Sequence, residues 1–591
     1  MIGPPSPGCL KMSNLYDSLA AGYGCLSAWA DLIDRINVFP VADADTGTNL
    51  RISLAPLRNP ADGESTIEKR LALCATGNSG NIAAAFFQEF CKAKTFNDLS
   101  GYTASGRDRA WQAIADPCRG TMLSIFDSLV SVLSLNQQVE TVYEPLCHTL
   151  QQAVLETPQL LPDLKKAGVV DSGALAMYVF FNGFFSHLTS QPSPKSSLVD
   201  LFVGKLAISS DFKPKATNSH CVDAVIKRSE ELELDRDKLA RLGESLVVVE
   251  DESTFKVHIH TADPDTLRND LDSFGEVVQW TDERIVQDGA GHTSSTNKKG
   301  LLHIVTDAAG SLPKDLALQH GITLLDSYIV SADSSRPESL CNPQHVYRAM
   351  RKGEKITTAQ ASTFERHQYY QSICQQHGPS LYLCVGSAFT GNYDTAVAWK
   401  KTHDHTDEFA VIDTGAASGR LALIALLVAR FSHVASNKQE LIAFTEKTIA
   451  DCEEYVFIDE LKYLVAGGRL AKSSGFFGDL LHMKPVISPT SDGAKKVGVV
   501  HSRKGQLAYA LEKLKKKFEP FFQPIIMLQY SDNEQWVQTA VLRKVEELLP
   551  HAEIITTPLS LTSGVHMGPG TWSMAFAPPL QPSTAEGNRV E

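Results

Sequence analysis

The sequence predicts a multidomain protein in which an all-α helical bundle is followed by a small α/β segment and then by a larger α/β domain. Three observations carry this. At 591 residues the chain exceeds what one hydrophobic core can organise, so three or four domains are expected. From about residue 12 to 190, apolar residues recur at spacings of three and four, with no convincing strand between them. Beyond a Gly-, Ser-, Thr- and Lys-rich stretch, Gly289–Gly300, the pattern becomes strands alternating with helices.

Composition narrows the function classes. Hydrophobic residues at 43% and charged residues at 21% describe an ordinary soluble protein. A formal charge of −13 argues against a nucleic-acid partner, because phosphate backbones require a basic face. No apolar run is long enough to span a bilayer; Leu421–Arg430 is too short. Met1 to Gly8 is Pro- and Gly-rich without the apolar centre of a signal peptide. Eleven scattered cysteines without a C-x-x-C pair suit a reducing cytoplasm, so a cytoplasmic location is expected.

In chain order, helices are predicted at Leu15–Ile36, Ile67–Ala93, Arg109–Ser134, Val142–Leu155 and Ser172–Leu188. Residues 12–190 form the first domain. The Pro- and Ser-containing stretch Gln191–Ser197 reads as a linker. A small α/β domain over 214–288 has strands at Ser245–Glu250 and Phe255–Thr261, joined as a hairpin. The third domain, 300–580, has strands at Leu301–Val305, Ser380–Val385, Glu408–Ile412, Ile525–Gln529 and His551–Thr557.

Within the bundle, Asn37-Val38-Phe39-Pro40-Val41-Ala42-Asp43-Ala44-Asp45-Thr46-Gly47-Thr48-Asn49 gathers carboxylates, hydroxyls and a carboxamide into a short turn. Asp43 and Asp45, two apart in an irregular loop, can face one hard cation such as Mg²⁺, which takes its other ligands from water and phosphates. A polar helix-capping turn uses the same residue types. Thr76-Gly77-Asn78-Ser79-Gly80-Asn81 lies at a helix start, where small residues let backbone N–H groups approach phosphate, or simply cap the helix. Gly120-Thr121 and Gly168-Val169-Val170-Asp171-Ser172-Gly173 are two further turns, the latter with Asp171 placed as an N-cap. In the small domain, His258 and His260 share one strand face, and Cys221 upstream adds a soft donor; three such groups suit zinc, and a pair of hydrogen-bonded histidines is the alternative.

The thirteen-residue string resembles the signature of the ATP-binding subunit of dihydroxyacetone kinase and, more closely, the kinase component of bacterial fatty acid kinase. That family reads N-V-F-P-V-P-D-G-D-T-G-T-N, so Ala42 and Ala44 depart from it, as does Thr76 from the family's Arg in R-G-N-S-G. The resemblance implies a phosphoryl-transfer site that binds ATP and Mg²⁺. Asp43 and Asp45 would hold the metal, with Thr46, Asn49, Asn78, Ser79, Gly80, Thr121 and Asp171 at the nucleotide. Lys256-Val257-His258-Ile259-His260-Thr261, with Cys221 ahead of it, resembles the middle domain of fatty acid kinase, which implies Zn²⁺ on Cys221, His258 and His260.

From Leu301 to Pro579 the chain resembles the DegV family of fatty-acid-binding proteins. The matching strings are Thr306-Asp307, Thr357-Thr358-Ala359-Gln360, Thr390-Gly391-Asn392-Tyr393, Asp413-Thr414, Gly467-Gly468-Arg469, Lys484-Pro485 and His566-Met567-Gly568-Pro569-Gly570. That resemblance implies a two-lobed α/β fold with the acyl tail between the lobes. The carboxylate would meet Thr358, Thr390, Gly391, Arg469 and His566, the arginine supplying a charged fork. Gly467–Ser473 also looks faintly like a phosphate loop but lacks the spacing of G-x-x-x-x-G-K-[ST].

Together the resemblances imply a self-contained fatty acid kinase that makes an acyl phosphate for phospholipid synthesis. Arg469 and His566 would act beside Asp43 and Asp45. A homodimer and a downstream acyltransferase are the expected partners. A lipid sensor with a regulatory or inactive kinase half is the second expectation, and a dihydroxyacetone kinase-like enzyme the third.

Overall fold

The structure, a computed structural model, describes residues 12–61, 65–136, 138–191, 196–214, 219–228, 234–250, 253–285, 300–332, 335–466 and 483–579. The chain forms two compact units, Met1–Thr296 with Asp333–Ser335 and Asn297–Ala332 with Arg336–Glu591.

The first unit holds both a helical bundle and a small sheet. The bundle runs α1 (Met12–Arg35), α2 (Thr46–Ser53), α3 (Ile67–Cys74), α4 (Gly77–Phe90), α5 (Phe96–Ala113), α6 (Met122–Leu135), α7 (Tyr143–Leu160), α8 (Pro162–Ala167) and α9 (Ser172–Thr189). Of α9, fourteen residues are buried, so it is apolar on all sides and forms the axis of the bundle. Its Phe181 and Phe184 join Phe86, Phe87, Phe90 and Phe126 in a cluster of rings packed edge to face or face to face; the Phe86 and Phe126 rings lie 4.0 Å apart.

Two helices expected to be continuous are broken, each for a local reason. The stretch Ile67–Ala93 splits at Ala75–Thr76, because Thr76 is extended and Gly77 takes φ +64°. A side chain at Gly77 would also meet the Asn49 carboxamide at 2.0 Å, so glycine is required there. The stretch Arg109–Ser134 splits between Ala113 and Met122, where Pro117 and Gly120 (φ +89°) interrupt it. Both breaks create helix N-termini.

The small sheet comprises β1 (His220–Arg228), β2 (Glu244–Glu250), β3 (Thr254–Thr261) and β4 (Gly275–Arg284), in the order β2-β3-β1-β4. All pairings are antiparallel. Alternation along β3 sends Phe255, Val257 and Ile259 into the sheet's own core with Val222, Ala224, Ile226 and Leu267. The opposite face, carrying Lys256, His258 and His260, is also buried, and it is turned towards the bundle. The edge strand β2 meets the bundle directly: the Ala115 N–H donates to the Leu246 carbonyl at 3.1 Å, and Ala85 and Ala113 pack on Val247 and Val249.

Besides a small three-stranded sheet in the order Ser335–Pro337, Tyr328–Val330, Thr357–Ala359, the second unit has two larger sheets among the described residues. One is a four-stranded parallel sheet in the order Phe409–Asp413, Ser380–Cys384, His303–Asp307, Ile322–Leu325. The other is a six-stranded mixed sheet in the order Gly493–Val500, Lys484–Thr490, Glu453–Phe457, Trp572–Ala577, Ile525–Tyr530, Glu553–Pro558. The apolar helix Ser418–Ser432 packs against both, its Leu421, Ile424, Ala425 and Val428 sharing one core with Ile304, Leu381, Met527 and Ala575. Leu421–Arg430 is thus a buried central helix, and no helix of the described residues is long and apolar enough to cross a membrane. Among the described residues every cysteine is a free thiol.

Candidate functional site

A cavity of about 580 Å³ opens in the first unit, between the bundle and the small sheet. Four helices point their N-termini at it. Thr46 opens α2, Gly77, Asn78 and Ser79 open α4, Met122 and Leu123 open α6, and Ser172 and Gly173 open α9; all line the cavity. Helix N-termini carry a partial positive charge, so four of them together suit a polyanion, with the Gly47, Thr48, Gly77, Leu123 and Ala174 N–H groups already taken by Asp34, Asp223, Thr121 and Asp171.

Into the same space project Asp43 and Asp45. Ala44 between them has φ +55°, a left-handed conformation that an alanine adopts at a cost of about 1 kcal/mol. Asn37 Nδ2 donates to Asp43 Oδ1 at 2.6 Å. Burial raises the Asp43 carboxyl, and burial together with Asp43 pushes Asp45 up to about 8. Two carboxylates that burial and mutual repulsion drive towards protonation are a site that a divalent cation relieves, so these residues fit Mg²⁺. The loop is held from behind by Asp34 of α1, which accepts from the Gly47 N–H at 2.6 Å, the Thr48 N–H at 3.0 Å and the Thr48 hydroxyl at 2.8 Å. Ser172 donates to Thr46 Oγ1 at 3.1 Å and to Asn37 Oδ1 at 3.4 Å, tying α9 to the loop.

The other expected nucleotide residues divide. Thr121 caps α6 and lines the cavity. Asp171 also lines it; its Oδ1 accepts from the Ala174 N–H at 2.7 Å as the α9 N-cap, and burial pushes its carboxyl up to about 7 against the pull of the Ala174 and Gly173 N–H groups. Asn49 and Gly80 stand behind the lining. Asn49 abuts Gly77, and a Cβ at Gly80 would meet Ser53 Oγ at 2.1 Å, so Gly80 serves the close approach of α4 to α2.

The wall contributed by the sheet carries Cys221, His258 and His260, whose candidate ligand atoms all lie within 4.8 Å of one another. His258 Nε2 and His260 Nε2 are 3.3 Å apart. Burial, and then His258, lowers His260 to about 4, so it is a neutral imidazole at physiological pH. Burial and the neighbouring carboxylates push the Cys221 thiol up. One thiol and two imidazoles at this spacing fit Zn²⁺.

Sequence reasoning missed Asp223. It lies on β1 opposite His258 in the strand register. Its Oδ1 faces His258 Nδ1 at 3.2 Å and accepts from Asn81 Nδ2 at 3.0 Å; its Oδ2 accepts from the Thr76 hydroxyl at 2.9 Å and the Gly77 N–H at 3.1 Å. Burial would raise this carboxyl, but His258, Lys256 and the Gly77 N–H hold it well below the usual carboxylate range. Buried Lys256 donates to the Ala75 carbonyl in the same turn. An acidic residue on an amphipathic strand gives no sequence signal; only the alternation C-x-D, which sets Asp223 on the Cys221 face, could have flagged it.

In the second unit a smaller cavity, about 120 Å³, is lined by Thr358, Gln360, Thr390, Ser418, Ser563 and His566, with Val385, Phe389, Val456, Leu464, Ile487 and Met567 completing an apolar side. Thr358 Oγ1 and His566 Nε2 are 2.9 Å apart. Organic-ligand pockets usually exceed about 300 Å³, so this space is smaller than a whole small-molecule pocket. Gly391 stands just outside, where an added Cβ would lie 3.9 Å from Gln360 Oε1. Arg469, with the rest of Gly467–Ser473, lies outside the described residues.

Three family models match this chain: the DAK2 domain over residues 40–186, the FakA-like middle domain of fatty acid kinase over 217–286, and the DegV family over 301–579. Among curated proteins it is similar to Protein YloV of Bacillus subtilis, 30% identical over 294 residues, which are 44% of this chain and 53% of that protein. An uncharacterized protein of Staphylococcus haemolyticus is 29% identical over 321 residues, 49% of this chain and 57% of that one. The chain spans about half the length of the curated relatives it matches. Among solved structures, a DegV family protein from Thermus thermophilus, described for its fatty acid binding, covers 47% of this chain and 99% of its own, at 21% identity and a TM-score of 0.44. DegV of Bacillus subtilis, described as a fatty acid binding protein, covers 47% and 100% at 20% identity and 0.44.

Proposed function

We propose that this chain, which joins a DAK2 domain, a FakA-like middle domain and a DegV-family domain in one polypeptide, is a fatty acid kinase transferring the ATP γ-phosphoryl group to a fatty acid carboxylate. The observation that carries the reading is the first unit's cavity, where four helix N-termini and the Asp43/Asp45 pair converge. The N-termini of α2, α4, α6 and α9 would cradle the phosphates, with Asn78, Ser79 and Thr121 beside them. Asp43 and Asp45 would hold Mg²⁺, which when bound neutralises charge on the transferring phosphoryl group. Cys221, His258 and His260 would hold Zn²⁺, adding positive charge to the opposite wall.

The acceptor is an anion near neutral pH, so it needs no general base. What opposes reaction is the repulsion between two anions and the alignment of the attacking oxygen, and the chain answers both by positioning and charge neutralisation. The carboxylate oxygen bonds to γ-phosphorus as the bridging bond to ADP breaks, giving acyl phosphate and ADP. Thr358, Thr390 and His566 would present the carboxylate, the Thr358–His566 pair supplying hydrogen bonding in a cavity lined by both polar and apolar side chains. Arg469 is proposed as their charged companion on the resemblance alone. The lipid-sensor reading draws on Ala44 and Thr76, the first in a left-handed conformation and the second engaged by Asp223.

The test is to incubate the pure full-length chain with Mg²⁺–ATP and a fatty-acid mixture, trap product with hydroxylamine, and read acyl hydroxamates by mass spectrometry. Hydroxamates that vanish in Asp43→Ala and Asp45→Ala, while both variants still bind fatty acid, are the expected result. Bound fatty acid without hydroxamate in the wild type would favour the sensor; transfer to dihydroxyacetone but not to a fatty acid would replace the proposed acceptor. Elemental analysis should find zinc, lost in the Cys221→Ala/His258→Ala/His260→Ala variant.

A further inference from the structure

The Asp223 carboxylate sits between two groups of residues that Proposed function assigns to different ligands. One side belongs to the phosphate-facing turn: Oδ2 accepts from the Thr76 hydroxyl and the Gly77 N–H, and Asn81, one turn into α4, donates to Oδ1. The other side belongs to the Cys221/His258/His260 cluster, through the 3.2 Å approach of His258 Nδ1 to Oδ1. The turn lies 142 to 147 residues from Asp223 in the chain, and the carboxylate is only 11% exposed. Lys256, on the same face of β3 as His258, donates to the Ala75 carbonyl next to that turn.

This geometry constrains the carboxylate strongly. His258 Nε2 faces His260 Nε2, while Nδ1 faces Asp223 Oδ1 at 3.2 Å with Cys221 Sγ 4.0 Å away, so the carboxylate stands where it can fix the tautomer and angle of a metal-binding imidazole. The same plane must also satisfy three donors from the start of α4. Rotating it to suit one partner breaks bonds to the others, and at this burial water does not replace them cheaply. The turn and the imidazole are therefore ordered together or loosened together.

We propose that Asp223 is a positioning residue through which occupancy of the Cys221/His258/His260 site and nucleotide binding at the start of α4 reinforce each other. The inference rests on the zinc and nucleotide assignments of Proposed function and adds their linkage. Such linkage is reciprocal: if nucleotide tightens zinc by some factor, zinc tightens nucleotide by the same factor. Couplings between two sites typically run from about 5- to 150-fold, and about tenfold is expected in the wild type.

The experiment uses the full-length chain. Zinc affinity is measured by competition with a chromophoric chelator, with and without Mg²⁺–AMP-PNP, and AMP-PNP affinity by calorimetry on zinc-loaded and zinc-stripped protein. Wild type should show about a tenfold change in both. In Asp223→Asn, which keeps the shape but turns an amide nitrogen towards donors, the two affinities should become independent within twofold. Thr76→Val, which removes one donor on the nucleotide side, should reduce the coupling and shift zinc affinity less than Asp223→Asn does; it decides the matter if Asp223→Asn fails to fold. Zinc and nucleotide that both bind the wild type but ignore each other would overturn the linkage and leave the assignments standing. Coupling that survives both variants would overturn the role of Asp223. Wild-type protein that binds no zinc or no nucleotide would overturn the assignments themselves, and the linkage with them.

Discussion

Asp34 stands in the last turn of α1, half-buried, and accepts three hydrogen bonds from the first turn of α2, at 2.6, 3.0 and 2.8 Å. It thereby fixes the direction in which α2 leaves the Asp43–Asp45 loop. Asp34→Ala removes both acceptor oxygens, and with them all three bonds, and a negative charge beside a helix N-terminus. Bonds to a charged group contribute roughly 1.5–3 kcal/mol each, and the charge–dipole contact about 0.5 kcal/mol. Water entering the half-open site recovers most of that sum, and a residual loss of about 2 kcal/mol, or roughly 30-fold, is expected. If the loosened loop is competent for binding in only that fraction of molecules, Mg²⁺–AMP-PNP affinity falls by up to the same factor. Asp34→Asn keeps one oxygen acceptor for the backbone N–H groups and should lose only about threefold. Calorimetric titration of the three proteins measures this, with a denaturant melt to confirm folding. A folded Asp34→Ala variant within twofold of wild type would refute the idea that Asp34 organises the loop.

Ala44→Gly removes the left-handed strain at φ +55°; set against glycine's larger unfolded-state entropy, the first unit should gain about 0.5 kcal/mol. A loss above 1 kcal/mol in a denaturant melt would contradict that sign. Glu338 in the second unit is fully buried, accepts from the Thr562 N–H at 3.0 Å and from its hydroxyl, and is held far above the ordinary glutamate range by burial and by Asp326. A raised carboxyl pKa means the folded state keeps a proton the unfolded chain gives up. Its stabilising contribution is therefore whole below about pH 4.5 and is lost as pH rises towards the folded value. Melts of this unit between pH 5 and 8 should show stability declining with pH, and Glu338→Gln should flatten the decline; an unchanged slope would exclude Glu338 as its source.

The parts of the fold and site that were legible share a physical property: the signal is local. Helical spacing marked the bundle, and the four polar turns marked places where chain direction changes and backbone donors come free. The turns' convergence was invisible, because Thr46, Ser79, Met122 and Ser172 meet only after α9 becomes the bundle's axis. Alternation along β3 set His258 and His260 on one face, yet nothing in the sequence said that this face would lie over the same cavity as Asp43. Asp34 and Asp223 escaped notice for the opposite reason. Each is an acid in an amphipathic element, where surface aspartates abound, and its importance lies wholly in partners elsewhere in the chain. The long helices drawn through Thr76 and Pro117 show periodicity overriding breakers that the tertiary structure enforces.

Strand β3 has no idle face. Phe255, Val257 and Ile259 build the small sheet's core, while Lys256, His258 and His260 between them face the bundle, and the strand is paired on both edges. Because side chains alternate with period two, shifting it by one residue would exchange the two sets wholesale. Loss or gain of one codon between Thr254 and Thr261 would drive imidazoles into the apolar core and set phenylalanine, valine and isoleucine against the Ala75–Gly77 turn. Folding and chemistry in this segment thus fail at one stroke. Selection acting only to keep the small sheet soluble would also keep the histidines in frame, long before any turnover of substrate came under test.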